Sequence, residues 1–343
     1  MAMRADVNKL MGGELGGWLE QQEGMRAEAK KKAWNRWFYG GIALLPLLAV
    51  LWFGPAWGGG IKFWVSTLAF GGLSAWGYMP INAAKREIKI GINSAIAREL
   101  GIEYQHDVEP GDEFDAVERY GLLPDYDRSN FEDLWFGEIE GHGFQLYEAK
   151  LEERRGSGKN RRWVTVFRGA IIAMQFGRDF YSTTLLQRAG KHKSWFGFGG
   201  SKDFVKFDGH ELGYVDQVHP AFEDMFDIYS DDQVEARVIA HPSYVEHLMA
   251  VEQAFNGDAV RALFQKGAVL IVVESGNLFE SGAISSVGDR ARTETAARQF
   301  SSLAQLAMAI NQTERGQAIS TSALGESDDA RPSNPAGFGR KGF

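Results

Sequence analysis

The sequence predicts an α+β protein: an N-terminal transmembrane helical hairpin, followed by a cytoplasmic domain with a mainly antiparallel sheet and flanking helices. Three observations predict it. Two uncharged apolar runs, Trp37 to Ile61 and Phe63 to Ala84, have only Lys62 and a Pro/Gly-rich turn between them, and each exceeds the roughly 20 residues that carry a helix across the hydrocarbon core of a bilayer. From Leu134 to Phe176 the apolar period is that of strands, and beyond Pro242 helical spacing returns alongside further strand-like runs.

Taken in order, residues 1–33 form a basic, amphipathic leader. Leu10, Met11, Leu15, Trp18, Leu19 and Met25 recur at near-helical spacing, whereas Gly12, Gly13, Gly16, Gly17 and Gly24 oppose a helix. A surface helix on the headgroups and a disordered leader both fit. Residues 34–84 are the hairpin. Arg26, Lys30, Lys31, Lys32 and Arg36 precede the first span and Lys85, Arg86 and Lys89 follow the second, while Gly54 to Gly60 carries no charge. The positive-inside rule therefore places both ends in the cytoplasm, at the inner membrane. Trp34, Trp37, Trp52, Trp57, Trp64 and Trp76 stand where the spans meet the interfaces, as anchoring aromatics do. Lys62 is expected to snorkel to the headgroups. Thr67, Gly71 and Ala75 make a small-residue stripe whose expected partner is the first span.

Residues 85–311 are the cytoplasmic domain. Pro80 punctuates the chain, and Ile88, Ile92, Ile96 and Leu100 then mark one helix face. Between Glu103 and Asp133 stand eleven Asp or Glu against Arg119 and Arg128, read as a solvated, loosely ordered face. A calcium loop starting at Asp125, Asp127 and Ser129 fails, because Asn130 and Phe136 occupy the positions that need Gly and Glu. Strands are expected at Leu134–Ile139, Phe144–Lys150 and Trp163–Phe167, with Ala170–Phe176 and Phe204–Phe207 as additions and Val234–Ala240 and Val269–Glu274 as buried strands. Helices are expected from Pro242 to about Phe255 and from Thr293 to Ile310. Residues 312–343 lack apolar periodicity and read as a disordered tail.

The net charge of −8 argues against a nucleic-acid binder, and the absence of cysteine excludes disulfides, thiol nucleophiles, thiolate zinc and iron–sulfur sites. No cofactor and no metal ion is called for. The Gly-Ser-Gly-Lys run at 156–159 lacks the first glycine and the hydroxyl residue of a phosphate loop, and His241 and His247 lie six apart, not at helix-face ligand spacing. Asp231, Asp232 and Glu235 form the one candidate carboxylate cluster, which a solvated turn explains more simply. Two loops carry basic residues suited to an anionic surface. One is the hairpin tip Lys150 to Arg162; the other interleaves Lys191 and Lys193 with Trp195, Phe196 and Phe198.

The run Tyr120-Gly121-Leu122-Leu123-Pro124, with Asp127-Arg128, Glu132-Asp133 and Gly137, resembles the opening of a bacterial family known as domain of unknown function 3137. Val166-Phe167-Arg168-Gly169 resembles its next block, and Phe222 to Ser230, continuing through Asp232, Val234 to Arg237 and Pro242, is the strongest match. The resemblance spans about residues 118–280 and implies N-terminal membrane helices but no activity. The expected function is a membrane-anchored, non-enzymatic scaffold or sensor that meets a partner protein or anionic lipid headgroups. The expected lipid contacts are Trp34, Arg36, Trp37, Lys85, Arg86, Lys191, Lys193, Trp195, Phe196 and Phe198. The alternative is an enzyme using carboxylates on a lipid- or envelope-derived substrate. No nucleic acid is expected as a partner, and the oligomeric state is left open.

Overall fold

The computed structural model describes residues 12–54, 57–139, 141–175, 180–188, 203–207, 209–216, 225–239, 242–279 and 288–311. They divide into two compact units. One holds residues up to Ala95 together with 280–294, and the other holds Ile96–Phe279 and the chain from Thr295.

The first unit is a pair of long helices, α1 (Glu14–Phe53) and α2 (Gly59–Leu100), of which α2 contributes all but its last turn. At 40 residues α1 is about 60 Å long, roughly twice the thickness of a hydrocarbon core. Charged residues occupy its N-terminal half and none lies between Trp37 and Phe53. The helices run antiparallel because glycines allow them to touch. A Cβ on Gly77 would lie 1.8 Å from Trp37 Nε1, one on Gly40 2.3 Å from Leu73 Cδ1, and one on Gly91 2.1 Å from the Trp18 ring. The Trp37 ring meets Tyr78 edge-on at 4.9 Å, and Arg36 donates to the Trp76 carbonyl at 3.0 Å.

Several expectations change here. The leader forms no separate element where it is described: α1 runs unbroken from Glu14, with Leu15, Leu19, Ala29 and Ala33 buried. Likewise α2 continues through Pro80, and Pro46 lies inside α1; each proline costs one backbone hydrogen bond, which neighbouring groups in a paired helix can offset. Lys62 donates from Nζ to the Trp52 carbonyl at 2.9 Å, closing the last turn of α1. Beside it Trp52 Nε1 donates to Ser66 Oγ. The stripe Thr67, Gly71 and Ala75 is exposed, with open space around Gly71; Ser66, Leu73 and Gly77 face α1 in its place. The unit closes on a buried ion pair, Arg26 Nη2 to Asp289 Oδ2 at 2.7 Å, both side chains 4% exposed.

The second unit is a ten-stranded antiparallel sheet with helices. Its strands are β1 (Glu103–Asp107), β2 (Arg128–Ile139), β3 (His142–Arg155), β4 (Arg162–Gln175), β5 (Thr184–Arg188), β6 (Phe204–Phe207), β7 (His210–Tyr214), β8 (Phe226–Ser230), β9 (Asp258–Gln265) and β10 (Ala268–Glu274). They lie in the order β1-β2-β3-β4-β10-β9-β5-β8-β7-β6. Helix α3 (Asp112–Arg119) precedes β2, α4 (Gln233–Ile239) and α5 (Pro242–Ala254) lie between β8 and β9, and α6 (Asp289–Asn311) follows the sheet. Alternation along β3 sends Tyr147, Ala149 and Leu151 to one face, where they join Phe114 and Val117 of α3, Leu122, Phe167, Ile171 and Leu263 in a core. On the other face Trp135 packs against Phe279 and Phe300 of α6, with ring centroids 5.1 and 4.7 Å away.

The expected strand Val234–Ala240 is a helix where it is described, as far as Ile239. Asp232 Oδ1 accepts the backbone N–H groups of Val234 and Glu235 at 2.8 and 3.1 Å, an N-cap that starts α4. Ala236 and Ile239 are then buried while Val234 and Val238 are exposed, so the expected alternation does not exist. The acidic stretch is ordered rather than loose: it contains β1, α3 and the start of β2. The two expected runs 163–167 and 170–176 are, as far as Gln175, one strand, β4. Gly169 does not break it but allows β10 to approach, since a Cβ there would lie 2.0 Å from the Val273 carbonyl oxygen. The 312–343 tail lies outside the described residues.

Removing Asp289 strands the buried Arg26 guanidinium, whereas removing Arg26 leaves Asp289 its second partner, Arg292 at 3.2 Å, so Asp289→Ala should destabilise the fold by about 3–5 kcal/mol. Thermal unfolding in detergent measures it.

Candidate functional site

The strongest concentration of unusual chemistry outside the expected carboxylates is a polar island on the α6 face of the sheet. It starts from an irregularity in β2. The register with β3 shifts between Glu132 and Trp135, and Asp133 takes φ 60°, a conformation costly for a residue with a Cβ. The bulge turns the Asp133 side chain inward, where it is fully buried. Two side chains of the edge strand β1 meet it there: Tyr104 donates its hydroxyl to Asp133 Oδ1 at 2.7 Å, and His106 Nδ1 lies 3.2 Å from the same oxygen.

Beside it stands Glu148 of β3, in phase with the buried Phe144 and Leu146. Its Oε1 accepts from Arg168 Nε at 2.8 Å and its Oε2 from the Leu278 backbone N–H at 2.9 Å. Arg168 also donates to Asn277 Oδ1. Burial raises the Glu148 carboxyl to about 7 and the Asp133 charge adds to that rise, against the lowering effect of Arg168 and the Leu278 N–H. This carboxyl therefore exchanges its proton near neutral pH, with each of its oxygens already accepting one hydrogen bond. General acid or base work needs the same group to reach a substrate proton; here the oxygens are held by Arg168 and the backbone.

The predicted carboxylates are brought close but are engaged in holding loops. Asp231 Oδ1 accepts the Thr183 N–H at 2.8 Å, Glu235 Oε2 accepts the N–H groups of Tyr181 and Ser182 at 3.1 and 2.6 Å, and Asp232 caps α4. Asp231 and Asp232 are exposed and Glu235 is half-buried, so the three do not converge in a cleft. Arg237 Nε donates to the Asp216 carbonyl at 3.3 Å. Among the described residues no group of three or more His, Asp or Glu is placed to hold a metal ion. A small apolar pocket lies between the sheet and helices α4 to α6, lined by Leu186, Ile239, Tyr244, Leu248, Phe264 and Leu306 among others. No carboxylate, histidine or basic residue lines it.

Of the expected lipid contacts, Trp34 is exposed, Arg36 and Trp37 join α1 to α2, and Lys85 and Arg86 lie exposed on α2. Lys191, Lys193, Trp195, Phe196 and Phe198 lie outside the described residues. The sequence reading missed Asp133 and Glu148. Asp133 was hidden in the acidic stretch, and nothing local marks a bulge. Glu148 did leave a signal, a carboxylate in step with Phe144 and Leu146 on the apolar face of a strand.

Within the sheet, Arg168 and Gly169 explain one of the recognised sequence blocks: one residue anchors Glu148 and the other lets β4 and β10 meet. Residues 165–312 match the family described as Protein of unknown function (DUF3137). The match takes in Val166 to Gly169 and the Phe222 to Pro242 blocks, while Tyr120 to Pro124 lies outside it. Comparison with curated proteins gave no match. Among solved structures, the crystal structure of the mycobacterial trehalose monomycolate transport factor A, TtfA, is similar at 12% identity and a TM-score of 0.34, covering 65% of this chain and 96% of that one. At that level nothing is transferred from it.

Because the folded Glu148 carboxyl titrates near 7 and the ordinary value is 4.5, the folded state holds its proton more tightly. Its contribution to stability is complete below about pH 4.5 and is lost as pH rises through 7. Glu148→Gln should flatten the fall in stability between pH 5 and 8 by about 3 kcal/mol; denaturation midpoints of both proteins across that range check it. Glu235→Ala leaves two backbone N–H groups without their acceptor and should cost about 1 kcal/mol, read from the same melts.

Proposed function

We propose that the protein is a membrane-anchored, non-enzymatic scaffold or sensor, inserted by its two long helices with both termini in the cytoplasm, presenting the sheet domain at the inner membrane face. The observation that carries this is the surface of α1. The segment Leu15–Phe53 is long and apolar enough to cross a membrane, with a mean hydropathy of 1.5 in its most apolar window, yet only 6% of that window is buried. A core helix of a soluble protein hides such a surface; this one exposes Ile42, Leu45, Leu47, Val50 and Phe53. Among the described residues α1 alone passes that test. The glycines, serines and aromatics of α2 lower its mean hydropathy, but it carries no charge from Phe63 to Ala84 and exposes Phe63, Trp64, Leu68 and Phe70. As the second half of a hairpin it crosses the bilayer alongside α1.

The basic flanks support this orientation. Trp34, Arg36 and Trp37 on α1 and Lys85 and Arg86 on α2 would meet the inner headgroups, and the Lys191–Phe198 loop would touch the same surface. A non-catalytic role for the domain is supported by its carboxylates, which cap a helix, hold loops or fill a buried network. Its partner would be a protein or anionic lipid headgroups.

Membrane fractionation with alkaline carbonate tests the anchor. The chain should stay in the pellet, and reporters fused to either terminus should both read as cytoplasmic. Release by carbonate, or opposite readings at the two ends, would overturn the hairpin. A crosslinked pull-down from intact membranes should recover a defined complex.

A further inference from the structure

We infer that the distal end of the β3–β4 hairpin is a membrane-docking arm that binds an anionic lipid surface; this rests on the anchored reading above. The sheet's register isolates it. Strand β2 pairs with β3 only as far as Glu152, opposite Arg128, and β10 pairs with β4 only back to Gly169, opposite Glu274. The β3–β4 ladder continues beyond both limits to Arg155 opposite Arg162. The chain therefore extends a two-stranded arm past the sheet.

Its tip has a set shape. Gly156 has φ 99° and packs so closely that a Cβ would lie 2.4 Å from the Asn160 carbonyl oxygen, and a 3₁₀ turn spans Gly158–Asn160. A defined turn presents its charges at a lower entropic cost than a floppy loop.

The charge on the arm opposes that of the chain. From Arg154 to Trp163 there are five basic residues and no acidic one, in a protein of net charge −8. Arg154, Arg155, Arg161 and Arg162 are exposed. The acids at its base are already held: Glu152 by Arg128 at 2.6 Å and Lys150 at 3.0 Å, Glu153 by Arg155 at 2.7 Å. Trp163 is 42% exposed, with the Arg128 guanidinium stacked 4.1 Å from its ring centroid. Arginine beside a half-exposed indole fits the interface of a bilayer, where the ring enters the headgroup layer and the cations meet phosphate.

A lipid surface is favoured over nucleic acid by the same numbers. A chain of net charge −8 repels a free polyanion at long range, and one indole is a poor platform for stacked bases. An anchored chain needs no long-range attraction, because the bilayer is always within reach.

The test uses the full-length protein in nanodiscs. The natural chain has no cysteine, so Ser157→Cys places a single fluorophore at the arm's tip. In discs enriched in phosphatidylglycerol with quencher-labelled headgroups, the fluorophore should be quenched, and quenching should be lost in high salt, in neutral phosphatidylcholine discs, and when Arg154, Arg155, Arg161 and Arg162 are changed together to Gln. Circular dichroism shows that the substituted protein is folded. Equal quenching in anionic and neutral discs, no quenching in either, or quenching unaffected by the four substitutions overturns the arm. Capture of an acidic protein or a nucleic acid by the arm without quenching also overturns it. Failure of the chain to incorporate into any disc, seen as protein eluting free of lipid, points instead to failure of the anchor.

Discussion

The ladder between β3 and β4 is the pairing on which the sheet domain depends. It joins two fourteen-residue strands from Phe144 opposite Met174 to Arg155 opposite Arg162, and everything else in the sheet is added to one of its sides: β2 and β1 beyond β3, and the other six strands beyond β4. Adjacent strands on one ladder also bring Glu148 and Arg168 together without any long loop. Where the flanking strands stop, the same ladder continues alone as an arm. Its central glycine, Gly169, is what allows the second half of the sheet to attach, because any side chain there would meet the Val273 carbonyl.

Charge is distributed by a consistent rule. Acidic residues outnumber basic ones in the chain, yet many described carboxylates accept from the backbone or sit beside an arginine. Glu252, for example, accepts from the Val260 N–H and from Arg188. A carboxylate that already accepts charge-assisted hydrogen bonds gains little by binding a cation or attacking a substrate. That is why the cluster at Asp231, Asp232 and Glu235 is better understood as two clips, Asp231 and Glu235, holding Tyr181 to Thr183, and a cap, Asp232, that starts α4.

Much of this was legible in the sequence, and the failures have physical causes. The strands from Leu134 to Gln175 and the helices at Pro242 and Thr293 were readable because apolar residues repeat at the period of the element. Val234 to Ala240 was misread because Val-x-Ala-x-Val satisfies alternation on paper; the capping aspartate two residues earlier carried the contrary signal and was assigned to a turn. The acidic stretch misled because charge was taken to mean looseness, although Phe114 and Val117 sit at helical spacing within it and are buried. The polar island was out of reach. It depends on a bulge, and the register of a strand pair is set across the sheet, not along the chain.

The buried glutamate has a thermodynamic corollary. At neutral pH the folded protein holds part of a proton on Glu148 that the unfolded chain releases, so unfolding is also a deprotonation. The heat absorbed in a calorimeter then includes the ionisation enthalpy of whatever buffer takes up that proton. Phosphate and Tris, which differ widely in that enthalpy, would report different unfolding enthalpies at the same pH and the same melting temperature.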